Sequence, residues 1–151
     1  MNTVLNLQVI SCAMLTGLIW VVQVVHYRAF RYVSEDKFQS FHRFHTKNMT
    51  YVVLPLMLIE LSTGTALVVL MPDSSFHWLN LIGLLLIWVS TFFISVPLHN
   101  LLATERNLRV IERLILTNWV RTVLWSVRLG LLFYTILPED RIVRMTGDSL
   151  K

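Results

Sequence analysis

The sequence predicts an all-α protein, a membrane-embedded four-helix transmembrane bundle, and three observations carry that prediction. Apolar residues make up 55% of the 151-residue chain and charged ones only 15%, with a mean hydropathy of +0.62. A globule of this size cannot hide so much apolar surface from water, so lipid has to be the solvent for much of it. Four apolar runs, Val4 to His26, Met49 to Met71, Phe76 to Pro97 and Leu114 to Leu137, each approach or exceed the roughly 20 residues that a helix needs to cross the hydrocarbon layer. Finally, Lys and Arg collect in alternate connections. One domain, residues 1–151, accommodates all four runs.

The first run has no basic segment before it and no small-residue cleavage pattern after it, so it reads as a retained span rather than a signal peptide. It holds Cys12, the only cysteine, which leaves no thiol partner for a disulfide or a redox pair. The connection that follows carries structure of its own. Ser34 before Glu35 and Asp36 reads as a helix N-cap with acids in the first turn. At about 100° per residue, Phe38, Phe41, His42 and His45 share one arc, while Lys37, Gln39, Ser40, Arg43, Thr46 and Lys47 lie off it. The expectation is a short amphipathic helix over Ser34 to Asn48, lying in the cytoplasmic interface. Asn48-Met49-Thr50 matches a glycosylation sequon, but on the side where glycosylation does not occur. Pro72 to Ser75 form a tight turn into the third run, and the fourth begins after a second basic connection.

Orientation follows from charge. Arg28, Arg31, Lys37, Arg43 and Lys47 flank the first connection, and Arg106, Arg109 and Arg113 the third. Short basic loops stay in the cytoplasm. The opposite side has only Arg141, Arg144 and Lys151, diluted by Glu139, Asp140 and Asp148. Both termini are therefore expected outside the cytoplasm of a cell's inner (plasma) membrane. Tyr27, Tyr32 and Tyr51 suit the inner boundary, and Trp78 and Tyr134 the outer one. The net charge of +4 reflects this topology and anionic lipid, with no sign of a nucleic-acid surface.

Polar residues inside the runs mark the candidate sites. Glu60 lies near the middle of the second run, and Asn118, Arg121, Trp125 and Arg128 fall on one arc of about 80° in the fourth. An ionised side chain at bilayer centre costs about 2.5 to 3.5 kcal/mol even on the lenient insertion scale, so these groups need partners. The expected arrangement is a Glu60 carboxylate bridged by Arg121 and Arg128, with Asn118 and Thr122 completing the bonds. The bland alternative is a structural ion-pair network that only fixes helix register. Val24-Val25-His26 and Pro97-Leu98-His99 bring an imidazole to the cytoplasmic end of two different spans, with Gln23 one turn before His26. Together with His42 and His45 they form a set of four histidines from three helices. Imidazoles and a carboxylate without thiols suit Zn, Fe, Ni or Cu and exclude an iron–sulfur cluster. His77, on the other side beside Trp78, reads as an interfacial residue outside the set.

The stretches HYRAF, FHRFH, PLMLIE, VPLHN and NWVRTVLWSVR resemble those of a set of small bacterial four-helix membrane proteins. That set is similar in size and layout to anthrone-oxygenase-like membrane proteins, a resemblance that implies oxidation of an aromatic polyketide and transfers no site residue. Three functions are compatible with the residues. In the first, a metal-dependent oxidoreductase acts on a lipid-soluble or aromatic substrate at the cytoplasmic leaflet. His26, His42, His45 and His99 supply metal ligands, Glu60 moves a proton, and Arg121 with Asn118 orients an oxyanion. In the second, a b-type haem sits between His26 and His99 with Arg128 among the arginines near its propionates. The third is a non-catalytic membrane subunit or scaffold. Gly17, Gly64, Gly83 and Gly130 fall one to a span, and this spacing contains no dimerisation motif.

Overall fold

The computed structural model describes residues 2–136, and every element in that range is helical. The predicted last residue of the fourth span, Leu137, and the tail charges Arg141, Arg144, Lys151, Glu139, Asp140 and Asp148 lie outside the described residues. The chain begins with α1 (Asn2–Val21), passes through a π-helical turn (Val22–His26) into the short α2 (Tyr27–Ala29), and ends this first rod in a 3-10 turn (Phe30–Tyr32). After Val33 and Ser34 comes α3 (Glu35–Leu70). A tight turn leads to α4 (Ser75–Ser90), a second π-helical turn (Thr91–Ser95) and α5 (Val96–Thr104), and α6 (Leu108–Ile136) closes the order. α1 packs on α3 and α6, and α4 packs on the same two, so the four rods form a square in which neighbours in sequence are mostly neighbours in space.

Three rods, Thr3–Tyr32, Glu35–Leu70 and Ser75–Thr104, are long and apolar enough to cross a membrane. α6 is as long as a span but falls short in hydropathy, because Asn118, Arg121 and Arg128 sit among its apolar residues. Those residues do not face outward: all three are buried, and the outer surface of α6 is Leu116, Val120, Val123 and Val127. The same division holds around the bundle. Cys12, Leu15, Phe30, Leu84, Ile87 and Leu114 fill the interior, while large apolar side chains such as Ile10, Leu58, Leu86 and Phe133 are exposed. The exterior is thus apolar over a partly polar interior.

The expected separate interfacial helix is corrected. Residues 35–48 are the first turns of α3, which continues unbroken to Leu70. No Gly or Pro interrupts Asn48 to Tyr51, and the side chains of Thr46, Asn48 and Thr50 satisfy themselves on carbonyls one turn back within the same helix. The predicted apolar face is nevertheless the inward one, with Phe38, His42 and His45 buried. Ser34 occupies the N-cap position with extended φ and ψ of −62° and 152°, though its hydroxyl makes no capping bond. Outside the bundle core, the Arg31 Nε donates to Glu112 at 2.6 Å, fastening the first connection to α6.

Both π-helical turns sit at the same place in their rods, next to a histidine: His26 is the last residue of the first turn, and His99 follows the second in α5. In each, the bond spans five residues, from the Tyr27 N–H to the Val22 carbonyl and from the Val96 N–H to the Thr91 carbonyl. The extra residue rotates everything after it relative to the α-helical phase before it. Pro97 follows the second turn, and its missing N–H cannot bond the Phe93 carbonyl as a regular helix would require. No comparable cause is visible in the first rod.

Candidate functional site

Two polar clusters occupy the interior, stacked along the bundle. The first surrounds Glu60, which is fully buried. Its Oε1 accepts from Arg128 Nη1 at 2.7 Å and its Oε2 from Trp125 Nε1 at 3.2 Å. Arg128 uses its remaining donors on Asn80, Nε to the carbonyl at 3.1 Å and Nη2 to Oδ1 at 3.0 Å, while Asn80 Nδ2 donates back to the Arg128 carbonyl at 3.2 Å. Gln8 joins through Asn80 Oδ1 at 3.5 Å and by accepting the Thr63 hydroxyl. The guanidinium fits because position 83 is glycine; a Cβ there would stand 3.0 Å from Arg128 Cδ and Cγ. Every polar atom of the Glu60 and Arg128 side chains has a protein partner, so this cluster joins helices and presents nothing for a ligand.

The expected bridge from Glu60 to Arg121 is not formed, and Glu60 bonds Arg128 and Trp125 rather than any histidine. Arg121 belongs to the second cluster, where its Nη2 donates to Asn118 Oδ1 and, at 3.3 Å, to the Tyr27 hydroxyl. Asn118 Nδ2 donates to Gln23 Oε1 at 2.7 Å, and Gln23 Nε2 to the Ile115 carbonyl at 3.1 Å. Thr122 bonds only the carbonyl one turn back. The reason is azimuth: Arg128 points towards α3 and α4, and Arg121, two turns away, reaches Tyr27 of α2 and, at 3.5 Å, Thr91 of the second π-turn.

All four predicted histidines meet in this second cluster. His26 Nε2 and His45 Nδ1 are 2.6 Å apart, and His42 Nε2 and His99 Nδ1 3.1 Å. His45 lies between the other rings, its centroid 4.4 Å from His26 and 5.7 Å from His99, both stacked. His26 and His99 therefore do not face one another across an open gap, as the two axial ligands of a haem would, and Arg128 lies in the other cluster. The Tyr27 hydroxyl is 3.1 Å from His99 Nε2. Tyr27 is thus no belt residue at a membrane boundary but a buried phenol wedged between Arg121 and His99. His77 is also buried, with Nδ1 2.6 Å from the Ser74 hydroxyl in the tight turn, and stays outside the set as expected.

Direction in this network follows from its one fixed donor. A guanidinium can only donate, so Tyr27 accepts from Arg121 and its own proton goes to His99 Nε2. His99 then carries its proton on Nδ1 and donates it to His42 Nε2. His42 is left with a proton on Nδ1, an atom that is buried without a partner, as is the Arg121 Nε. Both unmatched atoms are donors.

These residues form one wall of a cavity of about 440 Å³. Tyr27, His42, His45, His99, Thr91 and Arg121 supply its polar part, and Leu15, Ile19, Met57, Trp88 and Trp125 its apolar part. On one side the lining passes through Leu54 of α3 and Phe92 and Val96 at the second π-turn, which are 43%, 55% and 40% exposed. The cavity thus reaches the outside of the bundle along the seam between the second and third rods. Among the described residues no three His, Cys, Asp or Glu side chains are set to hold a metal ion. No family model, curated protein or solved structure matches the chain.

Sequence reasoning missed Gln8, Asn80 and Thr63, which complete the Glu60 cluster, and misjudged Tyr27. The amides left a signal, each being an isolated carboxamide in an otherwise apolar run, where an unpaired polar group is costly. The place of Tyr27 depends on the π-turn before it, and no signal for that turn is present.

Proposed function

We propose that this chain is a four-span inner-membrane protein that takes a lipid-soluble small molecule from the cytoplasmic leaflet and acts on its polar end, as an oxidoreductase. The observation that carries this reading is the seam-open cavity whose apolar walls end at Arg121, Tyr27 and the imidazoles. A substrate dissolved in hydrocarbon has a path along Leu54, Phe92 and Val96 without meeting water, and its polar end meets groups able to donate, accept or pass a proton. α6 crosses as the fourth span because its arginines are turned inward and partnered within the bundle. The alternative of a purely structural scaffold accounts for the Glu60 cluster but not for a guanidinium without an acid partner on the wall of a cavity.

A transition metal enters this reading at the proton shared by His42 Nε2 and His99 Nδ1. Their 3.1 Å separation is close to that of adjacent nitrogen ligands around one ion at about 2.1 Å from each. His45, stacked beside His99, would be the third ligand, with the Tyr27 hydroxyl beside His99 Nε2 as an orienting partner. A bound Fe, Zn, Cu or Ni ion would supply Lewis-acid or redox chemistry there. The test is elemental and optical analysis of detergent-purified protein. The reading expects a stoichiometric transition metal without a Soret band, lost in His42→Ala and His99→Ala and retained in His77→Ala. Metal-free protein that binds none of these ions when offered them sinks the metal-dependent form, and a Soret band sinks it in favour of haem.

A further inference from the structure

The interior charges do not balance. Arg121 and Arg128 are both buried, at 7% and 1% exposure, and Glu60 is the one buried carboxylate in the described bundle. Glu60 is fully engaged by Arg128 and Trp125. Arg121 has only neutral partners: an amide oxygen, a phenol oxygen and, at 3.5 Å, the Thr91 hydroxyl. Its Nε has none. A guanidinium held in a low-dielectric interior without a counter-charge is costly, and this one lines the cavity.

We infer that the missing counter-charge is the ligand itself, a lipid-soluble carboxylate whose head binds Arg121 and whose apolar body lies along the seam between the second and third rods. This rests on the proposed uptake of a lipid-soluble molecule and names its chemical class. A carboxylate matches the planar donor fork of a guanidinium, which a neutral alcohol or ester cannot do with charge. One cation on the cavity wall, with no lysine or second arginine lining it, suits a single negative charge better than a phosphate dianion. With its head at Arg121, such a ligand sets the carbons next to the carboxylate beside Tyr27, His42 and His99.

Trp88 and Trp125 line the cavity and report occupancy. The experiment titrates the full-length protein in detergent at pH 8 with a brominated dodecanoate, reading saturable quenching of tryptophan fluorescence, and repeats it with the corresponding methyl ester. The carboxylate is expected to bind about tenfold or more tighter than the ester, the scale of one charge-assisted bond. Arg121→Gln should remove that difference and Arg121→Lys keep part of it. Arg121→Gln is expected to fold, since it removes a cation with no acid partner, and the comparison of acid with ester in the unaltered protein needs no variant. Equal affinity for acid and ester overturns the inference and leaves uptake of a lipid-soluble molecule standing. Absence of saturable quenching by either compound overturns both.

Discussion

Replacing Glu60 by Gln keeps the shape of the side chain and removes its charge, and the structure indicates what that costs. In the native cluster both carboxylate oxygens accept, from Arg128 Nη1 at 2.7 Å and from Trp125 Nε1 at 3.2 Å. An amide has one oxygen and one NH2 group, so whichever way it is turned, one of these donors confronts another donor. The variant loses a buried hydrogen bond and leaves the Arg128 guanidinium without a counter-charge, a combination worth about 3 to 5 kcal/mol for a fully buried pair. For a chain of this length, each kcal/mol moves the midpoint by roughly 2 to 4 °C. Thermal unfolding in detergent, followed by tryptophan fluorescence, should therefore shift down by roughly 6 to 20 °C. Adding Arg128→Met to Glu60→Gln removes the stranded cation along with its partner, and the double variant should recover stability relative to Glu60→Gln alone. If Glu60→Gln unfolds at the native temperature, or if the double variant is no better than the single, the charge-pair reasoning is refuted.

Topology is open to a direct measurement: reporter fusions at Lys47 and Glu105 should give a cytoplasmic signal and one at Asp73 an external one, and a cytoplasmic signal at Asp73 would reverse the charge argument. Gly83→Ala places a Cβ 3.0 Å from two carbons of Arg128, so it should lower stability by about 1 to 3 kcal/mol, whereas Gly17→Ala and Gly130→Ala meet open space and should be neutral or slightly stabilising. Equal thermal midpoints for all three alanine variants would show that the Arg128 side chain is not confined against α4.

The fold was legible because its determinants are one-dimensional. Length and hydropathy mark the apolar runs, and the inward face of residues 35–48 follows from a 100° step. The join of that segment to the second apolar run was missed because a change of composition along the chain, from amphipathic to apolar, was taken for a change of element. The four histidines converge as their positions at the span ends require. The pairing of Glu60 with Arg128 rather than Arg121 was only half legible, since depth along a helix can be counted but which neighbouring helix a long side chain reaches cannot. Tyr27, Gln8 and Asn80 acquire their roles only from what faces them.

The two π-turns divide the first and third rods into halves that are phased independently. On one side of each break the rod contributes Gln8 or Asn80 to the Glu60 cluster, and on the other it brings Tyr27 or His99 to the cavity wall. An uninterrupted α-helix would tie these two faces together at a fixed angle. Each break behaves as a one-residue insertion, so deleting a single residue within Val22–His26 or Thr91–Ser95 turns Tyr27 or His99 away by about 100° while leaving the packing on the other side of the break in phase. The imidazole end can thus change its register without renegotiating the ion pair that holds the bundle together, so one end of this small scaffold can be reshaped while the other serves as its anchor.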